Sequence, residues 1–305
     1  MSTTVKPQTP RTVEAELVVD ARNTLGEGVL WDAAAQRVRW TDIAGKTLWE
    51  LDPANGAVQT REMPERVAHM AFTAQPDRLL LGLESGYAGL DLTRNALTGI
   101  VEVEPALAYT RLNDGRVDRA GNLVFGTIDE EQAKPRGGFY RLDTQSKLTR
   151  MDLPAPAIPN SICFSPDGKR MYFADSLTFK IMCGDYNAKT GAVKNIRVFV
   201  ELPDGGEPDG ANVDAQGYLW NAQWGLGRVV RYAPDGSEDL IVTLPVKQPS
   251  CIAFGGAARD TLYITSARKG LSDAALAAQA TAGGLFSVKL DGIAGAPEVP
   301  WGGRW

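Results

Sequence analysis

One pattern of residues recurs six times along this 305-residue chain. Each copy has a short apolar strand, a turn rich in Gly, Asp or Ala, and a second strand rich in aromatic and β-branched residues, as in "SICFSPDGKRMYFAD" and "ANVDAQGYLWNAQW". The last apolar residues before the six turns lie about 41 to 49 residues apart, which is the period of a four-stranded propeller blade. These anchor residues are Trp31, Phe72, Val117, Phe164, Val213 and Phe254.

Six blades of this size account for the chain beyond a polar N-terminal stretch. We therefore predict an all-β fold, a single six-bladed β-propeller that forms one catalytic domain at residues 14–305, after a flexible tail at residues 1–13. The strand-like "AELVVDA" (15–21) is expected to close the ring as the outer strand of the last blade. A short helix capped by Ser272 is expected within residues 271–283. A pair of β-sandwiches is the alternative fold, and the even repeat spacing argues against it.

The composition of the chain excludes several classes of protein. A formal net charge of −5, with no run of basic residues, argues against a nucleic-acid-binding surface. Cys163, Cys183 and Cys251 form no C-x-x-C pair, so neither a disulfide framework nor a structural zinc site is expected, and a reducing cytoplasm fits best. The chain shows no signal-peptide core and no apolar run long enough for a membrane span. We expect a soluble cytoplasmic protein with no evident obligate protein partner.

The position four residues before each anchor is polar in five of the six repeats. Equivalent positions in a propeller lie on a ring around the central axis, and this one falls where the inner strand enters the channel. The side chains of Glu27, Asn160 and Asp209 are therefore expected to converge although they are far apart in the sequence. Turn capping is the alternative role for the Asn and Asp residues, but glutamate is not a favoured turn residue. The six ring residues are Glu27, Ala68, Asn113, Asn160, Asp209 and Ser250.

The chemistry of the three converging side chains indicates a metal site. Two carboxylates and an amide oxygen, without histidine or thiolate, form a set of hard oxygen ligands that suits Ca²⁺, Mg²⁺ or Mn²⁺, while Zn²⁺ and Fe(II) stay possible because they accept carboxylate oxygen. Two negative charges nearly balance one divalent cation. Three protein ligands leave coordination positions for water and substrate, as a catalytic site requires. We predict one divalent metal cation bound by Glu27, Asn160 and Asp209.

Several segments of the chain resemble the senescence-marker-protein, gluconolactonase and regucalcin-like family. They are "LGEGVLWD", "RLNDGRVDRAGNLVFGTIDEE", "PNSICFSPDGKRMYFADS" and "EPDGANVDAQGYLW", and the resemblance extends over about residues 20–290. It implies a six-bladed propeller that hydrolyses sugar lactones, with Glu27, Asn160 and Asp209 as ligands of one divalent metal. The stretch "ARKGLSD" (267–273) is similar to the bacterial sugar-lactonase branch. The chain departs from the family pattern at Gly28-Val29, after the glutamate, and at Ser161, after the asparagine.

Three further residues are candidates for substrate binding. Arg111 and Asn113 lie at the mouth of the third blade, where such groups suit a polyhydroxylated ligand or a developing oxyanion, and the resemblance implies that both bind substrate. It also favours Glu131 for contact with substrate hydroxyls. A surface ion pair is the alternative for Arg111 and a solvated loop charge for Glu131. His69, the only histidine, cannot supply a Ser/His/Asp triad alone, and packing or pocket lining is expected for it.

These residues together predict a metal-dependent lactonase that opens a sugar lactone to the aldonic acid in sugar catabolism. The metal would polarise the lactone carbonyl and orient water, and Asp209 would remove the water proton and return it to the leaving ring oxygen. A phosphotriesterase of the diisopropyl-fluorophosphatase type is the enzymatic alternative. The non-enzymatic alternative is a calcium-binding or scaffold propeller, which has no reason to place two carboxylates and an amide at one ring position.

Overall fold

The computed structural model of the protein describes residues 9–107, 109–129 and 135–305, and these form six sheets. Strands β1 (Arg11–Glu14) and β2 (Glu16–Val19) precede the first blade. Blade 1 contains β3 (Gly26–Asp32), β4 (Arg37–Asp42), β5 (Thr47–Asp52) and β6 (Ala57–Glu62). Blade 2 contains β7 (Val67–Phe72), β8 (Arg78–Leu83), β9 (Gly86–Asp91) and β10 (Ala96–Glu102). Blade 3 contains β11 (Thr110–Val117), β12 (Leu123–Asp129), β13 (Phe139–Leu142) and β14 (Leu148–Arg150).

The second half of the chain builds three more blades. Blade 4 contains β15 (Pro159–Phe164), β16 (Arg170–Asp175), β17 (Lys180–Asn187) and β18 (Ala192–Glu201), with a 3₁₀ turn at Ser176–Thr178 between β16 and β17. Blade 5 contains β19 (Glu207–Val213), β20 (Leu219–Trp224), β21 (Arg228–Tyr232) and β22 (Glu238–Thr243). Blade 6 contains β23 (Pro249–Gly255), β24 (Thr261–Ser266) and β25 (Leu285–Lys289), and the helix α1 (Asp273–Ala278) lies between its last two strands.

The six blades form a closed ring around a central channel. The first strand of each blade is the innermost one, and each inner strand contacts the inner strand of the next blade, including β23 of blade 6 against β3 of blade 1. The outer strand of blade 6 is β2, which pairs antiparallel with β25. The predicted six-bladed propeller closed by an N-terminal strand is confirmed. The predicted helix is also present, and the Ser272 hydroxyl caps it by accepting a hydrogen bond from the backbone N–H of Ala275.

Strand β1 is a feature that the sequence analysis misses. It pairs in parallel with β22, with Arg11 opposite Leu240 and Val13 opposite Val242, and so adds a fifth strand to blade 5. Residues 11–13 therefore belong to an ordered strand and not to the predicted tail at residues 1–13, because their backbone is held by β22. The N-terminal segment thus joins two neighbouring blades.

The core lies between the blades. Middle strands such as β8 and β24 are buried along nearly their whole length because neighbouring blades cover both of their faces, whereas the outer strand β6 is largely exposed. Aromatic side chains fill the wedges between blades: the rings of Trp220 and Phe254, from blades 5 and 6, meet edge to face with centroids 5.5 Å apart. Full burial of each such side chain contributes about 1.5–3 kcal/mol to folding.

The C-terminal segment crosses the end of the channel at which the inner strands finish. The backbone N–H of Trp301 donates to the carbonyl of Phe72 in blade 2 (2.8 Å), and that of Gly302 donates to Gly121 in blade 3 (2.9 Å). The carboxylate of Glu298 receives a hydrogen bond from the buried guanidinium of Arg116 (2.7 Å). Chemistry that needs access from solvent is therefore restricted to the opposite mouth, where the inner strands begin. Among the described residues no helix is long and apolar enough to cross a membrane.

Removal of β1 and β2 should open the ring. A chain that begins at Asp20 loses the strands that cover β22 and β25. It also loses the packing of Val13 against the core between blades 5 and 6 and of Val19 against the core between blades 6 and 1. We expect its melting temperature to fall by roughly 10 °C or more, whereas a chain that begins at Arg11 should melt close to the parent. Equal melting temperatures for the two truncations, measured by circular dichroism, would show that closure does not depend on these strands.

Candidate functional site

The predicted site residues that the structure describes all line one pocket. It has a volume of about 350 Å³ and lies at the mouth of the channel where the inner strands begin. Glu27, Arg111, Asn113, Asn160 and Asp209 come from blades 1, 3, 4 and 5 and face this pocket together. Glu131 lies outside the described residues. The repeat register thus brings together side chains that are far apart in the sequence.

A bulge in each inner strand aims these side chains at the channel. The pairing with the second strand shifts register between Glu27 and Leu30 in blade 1 and between Asn160 and Cys163 in blade 4. Such bulges re-aim side chains and are frequent next to active sites. Directly after the two ring residues, Gly28 (φ +57°) and Ser161 (φ +59°) take left-handed conformations. The two departures from the family pattern therefore coincide with the bulges.

Ser161 is the strained position of the pair, because a left-handed conformation is unfavourable by about 1–2 kcal/mol for a residue that has a Cβ atom. Its fully buried hydroxyl donates to the backbone carbonyl of Asp209 (2.7 Å) and accepts from the side-chain amide of Asn221 (3.0 Å). These hydrogen bonds offset the backbone strain. They also fix the strand that carries Asp209 against the strand that carries Asn160.

A chain of hydrogen bonds orients the Asn160 amide. Its Nδ2 donates to the hydroxyl of Ser176 (2.9 Å), and that hydroxyl donates to the carbonyl of Pro208 (2.7 Å). Its Oδ1 accepts from Nδ2 of Asn113 (3.0 Å). The amide nitrogen is thus committed to the protein, while Oδ1 keeps a second lone pair. No sequence pattern indicates the role of Ser176, because this residue follows β16 and belongs to no repeated position.

The two carboxylates of the pocket are in an environment that disfavours their charged forms. Burial, and then the charge of Asp114, raise the pKa of Glu27 to about 8, against the lowering effect of the Gly28 N–H. Burial, and then the charges of Glu27 and Asp114, raise the pKa of Asp209 well above its usual value. A bound cation would reverse both shifts, since it favours the ionised carboxylates.

Asp114 is a third carboxyl group of this region that the sequence analysis interpreted as part of a turn. It lies in the bulge of β11, and its Oδ2 accepts a hydrogen bond from the backbone N–H of Ile162 (2.8 Å). Burial raises its pKa, and its charge acts on both Glu27 and Asp209. The position of Asp114 directly after the ring residue Asn113 could have indicated that it lies near the pocket. The Asp-Gly pair instead favoured interpretation as a turn.

The donor set at the pocket fits a divalent cation. Among the described residues no group of three His, Cys, Asp or Glu side chains could hold a metal ion, so a site here needs the amide oxygen of Asn160 beside Glu27 and Asp209. Carboxylate and amide oxygens are hard donors of the kind that Ca²⁺ and Mg²⁺ prefer. The two carboxylates nearly balance the charge of a divalent cation, and the hydrogen-bonded amide of Asn160 supplies an oriented dipole.

Arg111 and Asn113 are bound to each other. Arg111 is only 3% exposed, and its Nη1 donates to the carbonyl of Leu112 (2.8 Å) and to Oδ1 of Asn113 (3.1 Å). Nδ2 of Asn113 donates to the carbonyl of Pro159 (3.0 Å) as well as to Asn160. The alternative of a surface position for Arg111 is therefore wrong. The amide hydrogens of Asn113 serve the protein itself, so this residue holds Arg111 and Asn160 in place at the pocket wall.

His69 is a packing residue below the pocket and does not line it. Its Nδ1 lies 2.6 Å from the carbonyl of Asn113 and its Nε2 lies 2.6 Å from the hydroxyl of Tyr87. A carbonyl only accepts, so Nδ1 carries the proton and Nε2 accepts from Tyr87, which defines a neutral imidazole. Burial lowers the pKa of His69 to about 4.

The single histidine allows a direct test of this environment. In the folded protein His69 should titrate near pH 4, and in the unfolded chain near 6.5, as followed by NMR of the imidazole. Because the unfolded state binds the proton first, the contribution of His69 to stability is complete above about pH 6.5 and is lost as the pH falls toward 4. Titration of the folded protein near pH 6.5 would contradict the buried, neutral assignment.

Fold and pocket together define a six-bladed propeller enzyme with an oxygen-rich site at one mouth of its channel. Comparison with known proteins agrees: residues 25–268 match the family model described as SMP-30/Gluconolactonase/LRE-like region. An L-arabinolactonase from Azospirillum brasilense is 52% identical over 276 residues, which cover 90% of this chain and 91% of that protein. A pentonolactonase from Haloferax volcanii is 35% identical, covering 82% of this chain and 84% of the relative.

A solved structure agrees with the same assignment. The calcium-binding protein regucalcin from Agrobacterium tumefaciens superimposes with a TM-score of 0.91 at 32% identity, covering 98% of this chain and 100% of that one. The chain belongs to the SMP-30/gluconolactonase/LRE-like family. Within that family it is a lactonase, and the resemblance that the sequence indicated is confirmed.

Proposed function

We propose that this enzyme hydrolyses a five-carbon sugar lactone to the corresponding aldonic acid in sugar catabolism. The observation that carries the proposal is the meeting of Glu27, Asn160, Asp209 and Arg111 in one pocket of about 350 Å³. The names of two relatives, L-arabinolactonase and pentonolactonase, support a five-carbon substrate. The pocket volume is at the lower end of the range for small-molecule sites, which suits a ligand of this size.

The proposed cofactor is one divalent cation held by Glu27, Asn160 and Asp209. Its support is the buried pair of carboxylates, the oriented amide oxygen, and the description of a structural relative as a calcium-binding protein. The all-oxygen donor set makes Ca²⁺ the first candidate, with Mg²⁺, Mn²⁺, Zn²⁺ and Fe(II) as alternatives. When bound, such a cation supplies Lewis acidity to the lactone carbonyl oxygen.

Asp209 is the proposed general base. Its carboxylate takes a proton from a water molecule whose oxygen bonds to the lactone carbonyl carbon, and then gives that proton to the ring oxygen as the ring C–O bond breaks. The cation that Asp209 would share with Glu27 and Asn160 favours the ionised carboxylate, which is the form that can accept a proton. Arg111 donates from the pocket wall and orients the sugar, since its guanidinium is held by Asn113 and by the carbonyl of Leu112.

A panel of lactones and phosphotriesters in a pH-stat tests this function. We expect L-arabino-1,4-lactone and other pentonolactones to be hydrolysed faster than unsubstituted γ-butyrolactone, and phosphotriesters not to be hydrolysed. Turnover of phosphotriesters without turnover of lactones would favour the phosphotriesterase alternative and overturn the proposal. Absence of turnover with every member of the panel would overturn it too.

The substitution Asp209→Asn separates the proposed role of Asp209 as general base from its proposed role as metal ligand. The amide keeps one oxygen donor but has no basic carboxylate, so kcat should fall about a hundredfold or more while metal content changes little. Asp204→Asn is the matched control, since Asp204 is exposed in the loop before β19. An Asp209→Asn enzyme that retains metal and turns over at the parent rate would show that a different group removes the water proton.

A further inference from the structure

A second ring of side chains lies where the inner strands begin, two residues before the first ring and at or directly before the first residues of those strands. Because side chains alternate along a strand, residues two apart point in the same direction. The six members are Leu25, Arg66, Arg111, Ile158, Glu207 and Gln248. All of them except Arg66 line the same pocket as the proposed metal ligands. The second ring therefore forms the wall that a bound lactone contacts nearer the solvent.

The second ring is chemically uneven. Blades 1 and 4 contribute the apolar side chains of Leu25 and Ile158, whereas blade 3 contributes the donor Arg111. The neighbouring blades 5 and 6 contribute two side chains that carry acceptor oxygens, Glu207 and Gln248. An apolar wall with a few convergent polar groups is the usual composition of a small-ligand site.

Among the residues that the structure describes, none donates a hydrogen bond to the carboxylate oxygens of Glu207 or to Oε1 of Gln248. Glu207 is half-buried, and among the described residues its carboxylate has no hydrogen bond or ion pair. Nε2 of Gln248 donates to the carbonyl of Lys269 (3.1 Å), which fixes the amide, and Oε1 of Gln248 is buried with no partner in the described part of the chain. Leaving such oxygens without donors is unfavourable, so they favour a ligand that brings O–H groups.

We propose that Glu207 is a specificity-determining residue that, with Gln248, accepts hydrogen bonds from the hydroxyl groups of the lactone. The inference rests on the proposed sugar-lactone hydrolysis and adds to it the groups that distinguish a hydroxylated ring from a plain one. A carboxylate has two oxygens that can accept from neighbouring hydroxyls, and hydrogen bonds to a charged acceptor are the stronger kind. Arg111 faces the same substrate as a donor, so the wall offers complementary groups.

The test compares two lactones of the same ring size, L-arabino-1,4-lactone and γ-butyrolactone, with the Glu207→Leu and Glu207→Gln enzymes. For the hydroxylated lactone KM should rise about tenfold or more in Glu207→Leu and less in Glu207→Gln, which keeps one acceptor oxygen. KM for γ-butyrolactone should stay within about twofold of the parent value, because that lactone has no hydroxyl to lose. Gln248→Leu should likewise raise KM for the hydroxylated lactone more than KM for γ-butyrolactone.

Glu62→Gln is the matched control, since Glu62 is exposed at the end of the outer strand β6. Melting curves of all variants establish whether they are folded. If Glu207→Leu does not fold, the comparison rests on Glu207→Gln, whose side chain has the same size as that of the parent residue. Equal increases in KM for both lactones, or no increase for either, would overturn the recognition role of Glu207 while leaving the proposed lactone hydrolysis intact. A parent enzyme that hydrolyses neither lactone would instead overturn the proposed function, and this inference with it.

Discussion

Closure of the ring is the constraint on which the rest of the structure depends. Pairing of β2 with β25 holds blade 6 beside blade 1, and at the inner end of that junction the hydroxyl of Ser250 donates to the carbonyl of Gly26. Glu27 in blade 1 and Asp209 in blade 5 are separated by this closing blade, so their approach requires that the ring be complete. The site is therefore a property of the whole propeller and of no single blade.

The closed ring brings like charges together, and the surrounding structure holds them in that arrangement. The buried carboxyl groups of Glu27, Asp114 and Asp209 destabilise one another's charged forms. A bound cation would compensate this repulsion, whereas a purely structural core would contain no group to compensate it. Hydrogen bonds from Ser161 and Ser176 to the strand of Asp209 keep the walls from relaxing apart. These hydrogen bonds position the pocket walls without help from a ligand, and such preorganisation favours catalysis.

Much of this arrangement could be predicted from the sequence because the repeats are regular. A fixed distance from each anchor identified Glu27, Asn160 and Asp209 as members of one ring, and the structure describes all three at one pocket. The same reasoning applied two residues earlier leads to Glu207 and Gln248. The signal was present in the register of the repeats.

Other features could not be predicted because they depend on contacts between distant segments. Strand β1 pairs in parallel with β22, and no turn or hairpin signal accompanies a pairing between residues more than two hundred positions apart. The role of Ser176 arises from a turn that packs beneath Asn160, and that of Glu298 arises from a C-terminal segment outside the repeats. In each case the local sequence fits a generic loop, and only the tertiary structure gives the residue its partner.

The most direct test of the account is a crystal structure of the protein soaked in Mn²⁺, with anomalous diffraction measured near the manganese absorption edge. The account predicts one strong anomalous peak in the channel, within coordination distance of Glu27, Asn160 and Asp209, and no such peak in crystals of Asn160→Ala soaked in the same way. A peak elsewhere in the molecule, or equal occupancy in the variant, would contradict the claim that the closed ring builds a cation site from these three side chains.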